Sequence, residues 1–255
     1  AHAGGAPWLG RSALDAAELM NVGCNYLREH IPDGQRIHYA YGDAGGTAPN
    51  VVPAFAKVKY EVRARTVSQV KELFERVKKC ARGAALMTDT QMECSLTMAF
   101  SDFSQNRTLA ETASACLLEL GAPKWEAEEE ALAGEFLQSY DEGTLASIRG
   151  EIFDIFGKKE GERLLARPLH TEVFPFCPEK GRYEGGSTDV GDVSYVVPTA
   201  EIHVACAALG TIGHTWQMAA QAGSVLGHKG LLQAAMVLAL SCIRTMEHPD
   251  LVAKA

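Results

Sequence analysis

The 255 residues carry a net charge of -8, a pI near 5.5 and 47% apolar side chains. That apolar content supports a core in one large domain or two modest ones, and the acidic balance argues against nucleic acid or an anionic membrane as partner. Seven scattered cysteines, with no CxxC pair, exclude a disulfide frame or zinc knuckle and read as buried free thiols of a reducing compartment.

The chain opens on a motif. Ala1-His2-Ala3-Gly4-Gly5-Ala6-Pro7-Trp8-Leu9-Gly10 sets a histidine, a glycine pair and a Pro-Trp turn ahead of a helix. Free ends fray, so a working histidine at position 2 leads us to expect a polypeptide that begins further upstream. Ser12-Ala13-Leu14-Asp15 has capping-box spacing. Ala13, Ala17, Met20, Cys24, Leu27 and Ile31 follow at helical spacing until Pro32-Asp33-Gly34 stops the helix. Ile37, Tyr39 and Tyr41 then alternate as a strand, up to the loop Gly42–Asn50.

A second strand puts Ala56, Val58, Tyr60, Val62 and Ala64 on one face and Lys57, Lys59, Glu61, Arg63 and Arg65 on the other. Thr66-Val67-Ser68-Gln69 caps a helix carried by Val70, Leu73, Val77, Cys80 and Ala84. Met92, Cys94, Leu96, Met98 and Phe100 alternate as a third strand. The order α-β-β-α-β is one strand short of a ferredoxin-like βαββαβ sandwich, with the absent strand expected just before His2.

Near Ser104-Gln105-Asn106 the character changes, which sets domains at 1–105 and 106–255. Helices are expected at Thr108–Leu120, Glu126–Ser139 and Gly143–Phe156, then a loop-like stretch from Arg167 to Ser187. Short apolar stretches follow at Val193–Val197 and Ile202–Ala205. A last helix, Leu226–Met246, is apolar nearly all round and calls for burial on several sides. Its apolar run from Leu231 to Ile243 reads as too short to span a bilayer, leaving a soluble cytoplasmic protein as the expectation. The part after residue 105 has too few strands for a complete α/β layer and reads as the end of a sheet domain whose beginning lies elsewhere.

Four places can carry chemistry. His214, in Gly210-Thr211-Ile212-Gly213-His214-Thr215-Trp216-Gln217, sits before a helix and is either a metal ligand or acid–base group, or a hydrogen-bonded histidine at a helix cap. Gly185-Gly186-Ser187-Thr188-Asp189-Val190-Gly191-Asp192 allows close backbone approach, with Asp189 or Asp192 placed to orient a ligand histidine; a plain Gly/Asp turn is the alternative. Asn50 and Arg63 can together clamp a carboxylate, or Arg63 is one of a solvated charged row. His2, with Gly4 and Gly5, can stabilise an oxyanion, or is an unstructured tip. There is no HExxH, Walker loop, GxGxxG or GxSxG. A catalytic zinc needs three protein ligands and an open position, and one histidine does not make such a site.

Taken together, His2-Ala3-Gly4-Gly5-Ala6-Pro7-Trp8, Ala48-Pro49-Asn50-Val51-Val52-Pro53, Tyr60-Glu61-Val62-Arg63, Gly186-Ser187-Thr188-Asp189-Val190-Gly191-Asp192-Val193-Ser194 and the His214 motif resemble the M20 family of metallopeptidases and amidohydrolases, in its aminobenzoyl-glutamate utilisation branch. The resemblance implies a βαββαβ lid that pairs into homodimers, inserted in an α/β zinc-peptidase-like catalytic domain of which the C-terminal part is present. It implies hydrolysis of an N-acyl amino acid with a carboxylate, assisted by two divalent ions, zinc or manganese. His214 matches the C-terminal metal ligand, and His2 the lid histidine that polarises the scissile carbonyl in the other protomer's site. Asn50 and Arg63 match lid residues that hold the substrate carboxylate, and Thr188 and Asp189 a loop beside the metals. The other ligands and the catalytic glutamate belong to a part of the family sequence outside these residues, so negligible activity is expected of the chain alone. The stretch from Glu126 to Pro178 is long for the family and reads as a substrate-selecting insertion. Two rivals remain: a non-catalytic dimerisation or small-molecule-binding module, and one chain of a split hydrolase.

Overall fold

The computed structural model describes residues 1–178 and 186–255. They form two compact units: Ala1–Phe103 with the described part of Arg182–Tyr195, and Ser104–Gly181 with Val196–Ala255.

In the first unit a 3-10 turn at Pro7–Leu9 leads to α1 (Ala13–Leu27), β1 (Arg36–Asp43), β2 (Lys57–Arg63) and α2 (Val67–Thr88). Half of the expected capping box forms, since Ser12 Oγ accepts from the Asp15 amide at 3.1 Å; Thr66 caps α2 the same way at 3.3 Å from the Gln69 amide. β1 and β2 pair antiparallel, with Ile37 opposite Val62, Tyr39 opposite Tyr60 and Tyr41 opposite Val58. These residues turn to the helices, and Ile37 joins Cys24, Leu73 and Val77 in the core, with Met20, Leu27 and Cys80 around it. Asn21, buried on α1, ties both strands: its amide donates to the Tyr41 hydroxyl at 3.1 Å, and its carbonyl accepts from the Tyr60 hydroxyl at 2.6 Å. The same burial pushes the Cys24 thiol up to about 11 and the Tyr60 phenol further above its usual range.

The expected third strand does not form. Residues 92–100 join no ladder, and Leu96 and Met98 stand 69% and 67% exposed. Alternation describes a surface that fits a sheet, but a strand exists only where a neighbour takes its N–H and C=O groups. The sheet is two-stranded, and the α-β-β-α unit stops there.

The second unit contains α3 (Arg107–Leu120), α4 (Ala127–Gln138), α5 (Glu142–Phe156), α6 (Lys158–Leu164), α8 (Trp216–Ala222), α9 (Val225–Glu247) and α10 (Pro249–Lys254). Short α7 (Val190–Ser194) falls in the first unit. No strand occurs among the described residues of the second unit; Ile202–Ala205 is irregular, and Val193 lies at the end of α7. Its core joins Ala133, Leu169, Ala208 and Leu226. α9 packs along α3 and also meets α8, α10 and α4; its buried residues Leu226, Gly230, Gln233 and Val237 form one stripe, so it is buried on one side where burial on several was expected. With 23 residues it also exceeds the apolar run read from the sequence and is long and apolar enough to cross a membrane. Two cysteines, Cys24 and Cys116, are buried, Cys80 is intermediate, and Cys94, Cys177, Cys206 and Cys242 are exposed. Cys94 lies on the strand that does not form, and Cys242 on the open side of α9.

Glu129 anchors this unit. Its carboxylate accepts from the Glu126 amide at 2.8 Å and from Lys229 Nζ at 2.7 Å, which holds its pKa below the usual carboxylate value. A carboxylate depressed on folding contributes stability in full above its unfolded pKa of ~4.3 and loses it as pH falls through the lower folded value. Glu129→Gln is therefore expected to cost about 1–2 kcal/mol at pH 7 and progressively less on acidification below the unfolded carboxylate pKa. Urea melts of both proteins across that range check it; a gap independent of pH would contradict the assignment.

Candidate functional site

His2 is held, not frayed. Ala3 N donates to Asn50 O at 2.8 Å and Val52 N to Ala1 O at 2.9 Å, a short antiparallel bridge that seats His2 against Val51. The partner loop is pinned in turn, because Pro53 O accepts from the Ala13 amide at the start of α1 at 2.9 Å. The Gly4-Gly5 turn then folds back over the imidazole. Both amides donate to His2 Nδ1, at 3.1 and 2.9 Å. A nitrogen accepting two N–H groups carries no proton of its own, so the neutral ring is the Nε2–H tautomer and Nε2 is a donor. An exposed imidazole with a fixed outward donor can hydrogen-bond a carbonyl oxygen that gains negative charge. The glycine pair was legible in the sequence; its grip on Nδ1 was not.

The bridge places Asn50 beside His2. Arg63 lies elsewhere. Six residue-to-residue steps, about 20 Å of strand, separate Lys57 from Arg63 on β2, and the Asn50 loop lies beyond the Lys57 end. At its own end Arg63 faces Arg36 across the sheet and pairs with the Glu61 carboxylate. One copy of this unit therefore cannot clamp a single carboxylate with both residues. The solvent face of the sheet carries Arg36, Lys57, Lys59 and Arg63 against Asp43 and Glu61. The chain's acidity comes from its second part, since residues 1–103 hold twelve Lys and Arg against eleven Asp and Glu. A locally cationic sheet suits an anionic small molecule.

Thr188 and Asp189 are exposed at the start of α7, where Thr188 Oγ1 accepts from the Val190 amide at 3.3 Å. Gly185 of the same motif lies outside the described residues. Asp192 does not orient a histidine: it accepts from Ser101 N at 3.2 Å and Ser101 Oγ at 2.5 Å. Asp102 accepts from the Val67 amide at 3.1 Å and the Tyr195 hydroxyl at 3.0 Å. The close spacing of Asp189 and Asp192 gave no hint of this tie, because Ser101 and Asp102 are about ninety residues away in sequence. A Cβ at Gly191 would come 2.1 Å from the Ser101 carbonyl oxygen, so glycine is required there.

In the second unit His214 has φ +58°, a left-handed conformation that a non-glycine residue adopts at a cost and that clusters at functional sites. The surrounding loop is rigid enough to hold it. Gln221, fully buried, accepts from the Ala208 amide at 2.7 Å and donates to Thr211 Oγ1 at 3.1 Å, while Thr215 caps α8 through the Met218 amide. The imidazole is exposed. Among the described residues, no three His, Cys, Asp or Glu side chains gather to hold a metal ion. A His-x-Asp triplet, His248-Pro249-Asp250, opens α10, where Asp250 pairs with Lys254 at 3.1 Å. His170 was missed by sequence reasoning; its Nε2 is sealed without a partner among the described residues, and burial pushes its pKa down. It stacks beside Phe174, at 5.0 Å between ring centroids, and packs as a neutral ring.

Residues 1–88 match the M20 family described as the peptidase dimerisation domain. The chain is 41% identical over 250 residues to a p-aminobenzoyl-glutamate hydrolase subunit of Escherichia coli (strain K12), covering 95% of this chain and 51% of that protein. It is 27% identical over 255 residues to the Xaa-Arg dipeptidase of Mus musculus, covering 98% of this chain and 46% of the relative. Over 96 residues, 38% of this chain and 22% of the relative, it is 36% identical to the indole-3-acetyl-aspartic acid hydrolase of Enterobacter agglomerans. The chain thus spans about half the length of the two relatives it matches end to end. Residues 1–88 thus carry the dimerisation domain of the M20 peptidase family, and the likeness to the E. coli hydrolase subunit continues along the rest of the chain.

Proposed function

We propose that this chain is the lid and the C-terminal part of the catalytic domain of a soluble, cytoplasmic M20-type amidohydrolase, which cleaves the amide of an N-acyl amino acid of the aminobenzoyl-glutamate kind. The observation that carries the reading is His2 locked as an outward Nε2–H donor beside Asn50. The names of the relatives, each a hydrolase or dipeptidase, and the cationic sheet face agree with it. In this reading α1, α2 and the two-stranded sheet belong to a βαββαβ lid, and residues 92–100 run unpaired because their neighbour lies outside the chain.

His2 Nε2–H donates to the scissile carbonyl oxygen and strengthens its hold as that oxygen becomes an oxyanion. Asn50 steadies the same end of the substrate. Arg63 takes a carboxylate in a guanidinium fork, displacing Glu61 from it. A substrate of this size does not reach both ends of β2, so a complete site draws His2 and Asn50 from one lid and Arg63 from the other, in a homodimer formed through residues 1–88. Two divalent ions, zinc or manganese, would supply the activated water. Among the described residues no donor set makes that site: His214 brings one imidazole, Thr188 and Asp189 match a loop beside the ions in the family pattern, and the remaining ligands would come from outside.

Natural-length protein is expected to release the amine from p-aminobenzoyl-glutamate, and residues 1–255 alone to release almost none. Full turnover by 1–255 would overturn the reading. Arg63→Met is expected to raise KM about 10–100-fold with kcat little changed, the pattern of lost ground-state binding. One observation favours a second reading: the E. coli relative is named as one subunit of its hydrolase. A split hydrolase would co-purify with a second, different chain, and a non-catalytic module would keep its behaviour after His2→Ala and His214→Ala.

A further inference from the structure

Arg63 has a counterpart across the sheet. In the register of β1 and β2 it lies directly opposite Arg36, and the next pair on the same face sets His38 opposite Glu61. Directly opposed residues share a face, with Cα atoms about 4.5–5.5 Å apart, so the two guanidinium groups leave the sheet as neighbours. Like charges in that arrangement cost stability. Glu61 pairs with Arg63. Arg36 has no carboxylate partner among the described residues, where its guanidinium donates from Nη1 to the Gln35 carbonyl at 2.7 Å. A face that served only as a solvated surface would be more stable with an acid opposite an arginine. Two opposed arginines are relieved by a second negative charge from a ligand.

There is room for one beside Arg36. With Arg28, Asp33, Gln35 and His38 it lines a cleft of about 410 Å³ at the start of β1, and Asp33 is the one acid on its wall. Arg28 is committed elsewhere: Nε and Nη2 both donate to the Ile37 carbonyl, at 3.1 and 2.7 Å, and Nη1 to Asn25 Oδ1 at 2.6 Å. Arg36 is therefore the arginine of this cleft whose fork is available to a ligand. A substrate with a single carboxylate needs Arg63 alone. The opposed pair matches an amino acid whose side chain ends in a second carboxylate, since each guanidinium takes one carboxylate in a two-bond fork.

We propose that Arg36 is a specificity-determining residue, which binds the side-chain carboxylate of an N-acyl dicarboxylic amino acid while Arg63 binds the carboxylate on its α-carbon. The proposal rests on the reading of the chain as part of an N-acyl amino acid hydrolase, and it assigns the residue that separates acidic substrates from neutral ones. Binding also removes the repulsion across the strand pair, so the second carboxylate adds more than an exposed ion pair would.

The test uses natural-length protein supplied with zinc or manganese, and two compounds that differ in one group. These are p-aminobenzoyl-glutamate and p-aminobenzoyl-glutamine, in which a neutral amide replaces the side-chain carboxylate. The wild type is expected to favour the glutamate compound at least about 10-fold in kcat/KM, mainly through KM. Arg36→Met is expected to bring that ratio to within about 2-fold of unity, and Arg36→Lys, which keeps the charge without the fork, to leave an intermediate ratio. Thermal midpoints check folding: Arg36→Met is expected to match or exceed the wild type, because an opposed like charge is gone. A wild type without the preference, or a ratio that Arg36→Met leaves unchanged, overturns the proposal. Binding is read separately by calorimetry on protein stripped of divalent ions with a chelator. There the wild type is expected to hold the glutamate compound more tightly and Arg36→Met to hold both alike; equal binding by the wild type overturns the proposal as well. The two readings fail differently. An enzyme that cleaves both compounds in a ratio indifferent to Arg36 sinks this assignment alone. A protein that cleaves neither, yet tells them apart through Arg36, sinks the hydrolase reading and keeps the dicarboxylate site.

Discussion

Replacing His2 by alanine in the natural-length protein is expected to lower kcat by about 10²–10³ and to move KM little, because a donor aimed at a developing oxyanion works mainly in the transition state. The structure makes the claim sharper than a loss of activity. Nδ1 accepts from the Gly4 and Gly5 amides, so nitrogen NMR of the imidazole should show a bare Nδ1 and a protonated Nε2. His2→Gln, whose amide keeps one donor on a similar reach, should recover part of the rate. A wild-type Nδ1–H tautomer would sink the assignment, as would a kcat unchanged in the alanine variant. Folding is a separate matter, since His2 is exposed and its segment is held by backbone bonds from Ala3 and Val52.

The first unit was more legible than the second for a physical reason. α1, α2, β1 and β2 each carry a local signal: a Ser or Thr cap, and a period that matches the buried face found in the structure. The error at residues 92–100 came from the same alternation, because side-chain period cannot report whether a neighbouring strand exists. α9 is the converse case. Its apolar surround announced burial on several sides, and the second unit covers one. At the site, residue types and motif spacing brought out His2, Asn50, Arg63 and His214, but could not show that β2 holds Arg63 a strand's length from the Asn50 loop. Nor could they show the Ser101–Asp192 tie, which joins residues far apart in sequence.

The second large effect is expected at Leu73, which touches no substrate. It is 1% exposed on α2 and meets Cys24, Ile37 and Val77 in the core between the helices and the sheet. Leu73→Ala removes its methyl groups and leaves a cavity, at a cost of about 2–5 kcal/mol. A unit near a hundred residues has only about 5–15 kcal/mol to lose, and each kcal/mol moves its midpoint by roughly 4–8 °C. The first unit should therefore melt at least ~10 °C lower, while the second, with a core of its own around Ala133, Leu169, Ala208 and Leu226, keeps its midpoint. The consequences reach the site, because Ile37 in this core belongs to the sheet that presents Arg63, and the Asn50 loop that bridges His2 is fastened to α1 at Ala13. Dimer dissociation and loss of hydrolysis should follow the midpoint of the first unit, whereas Leu73→Met, which keeps most of the volume, should cost under ~1.5 kcal/mol and retain both. If Leu73→Ala lowered the two midpoints together, the units would share one cooperative core, and the lid would not be a separately stable platform for His2.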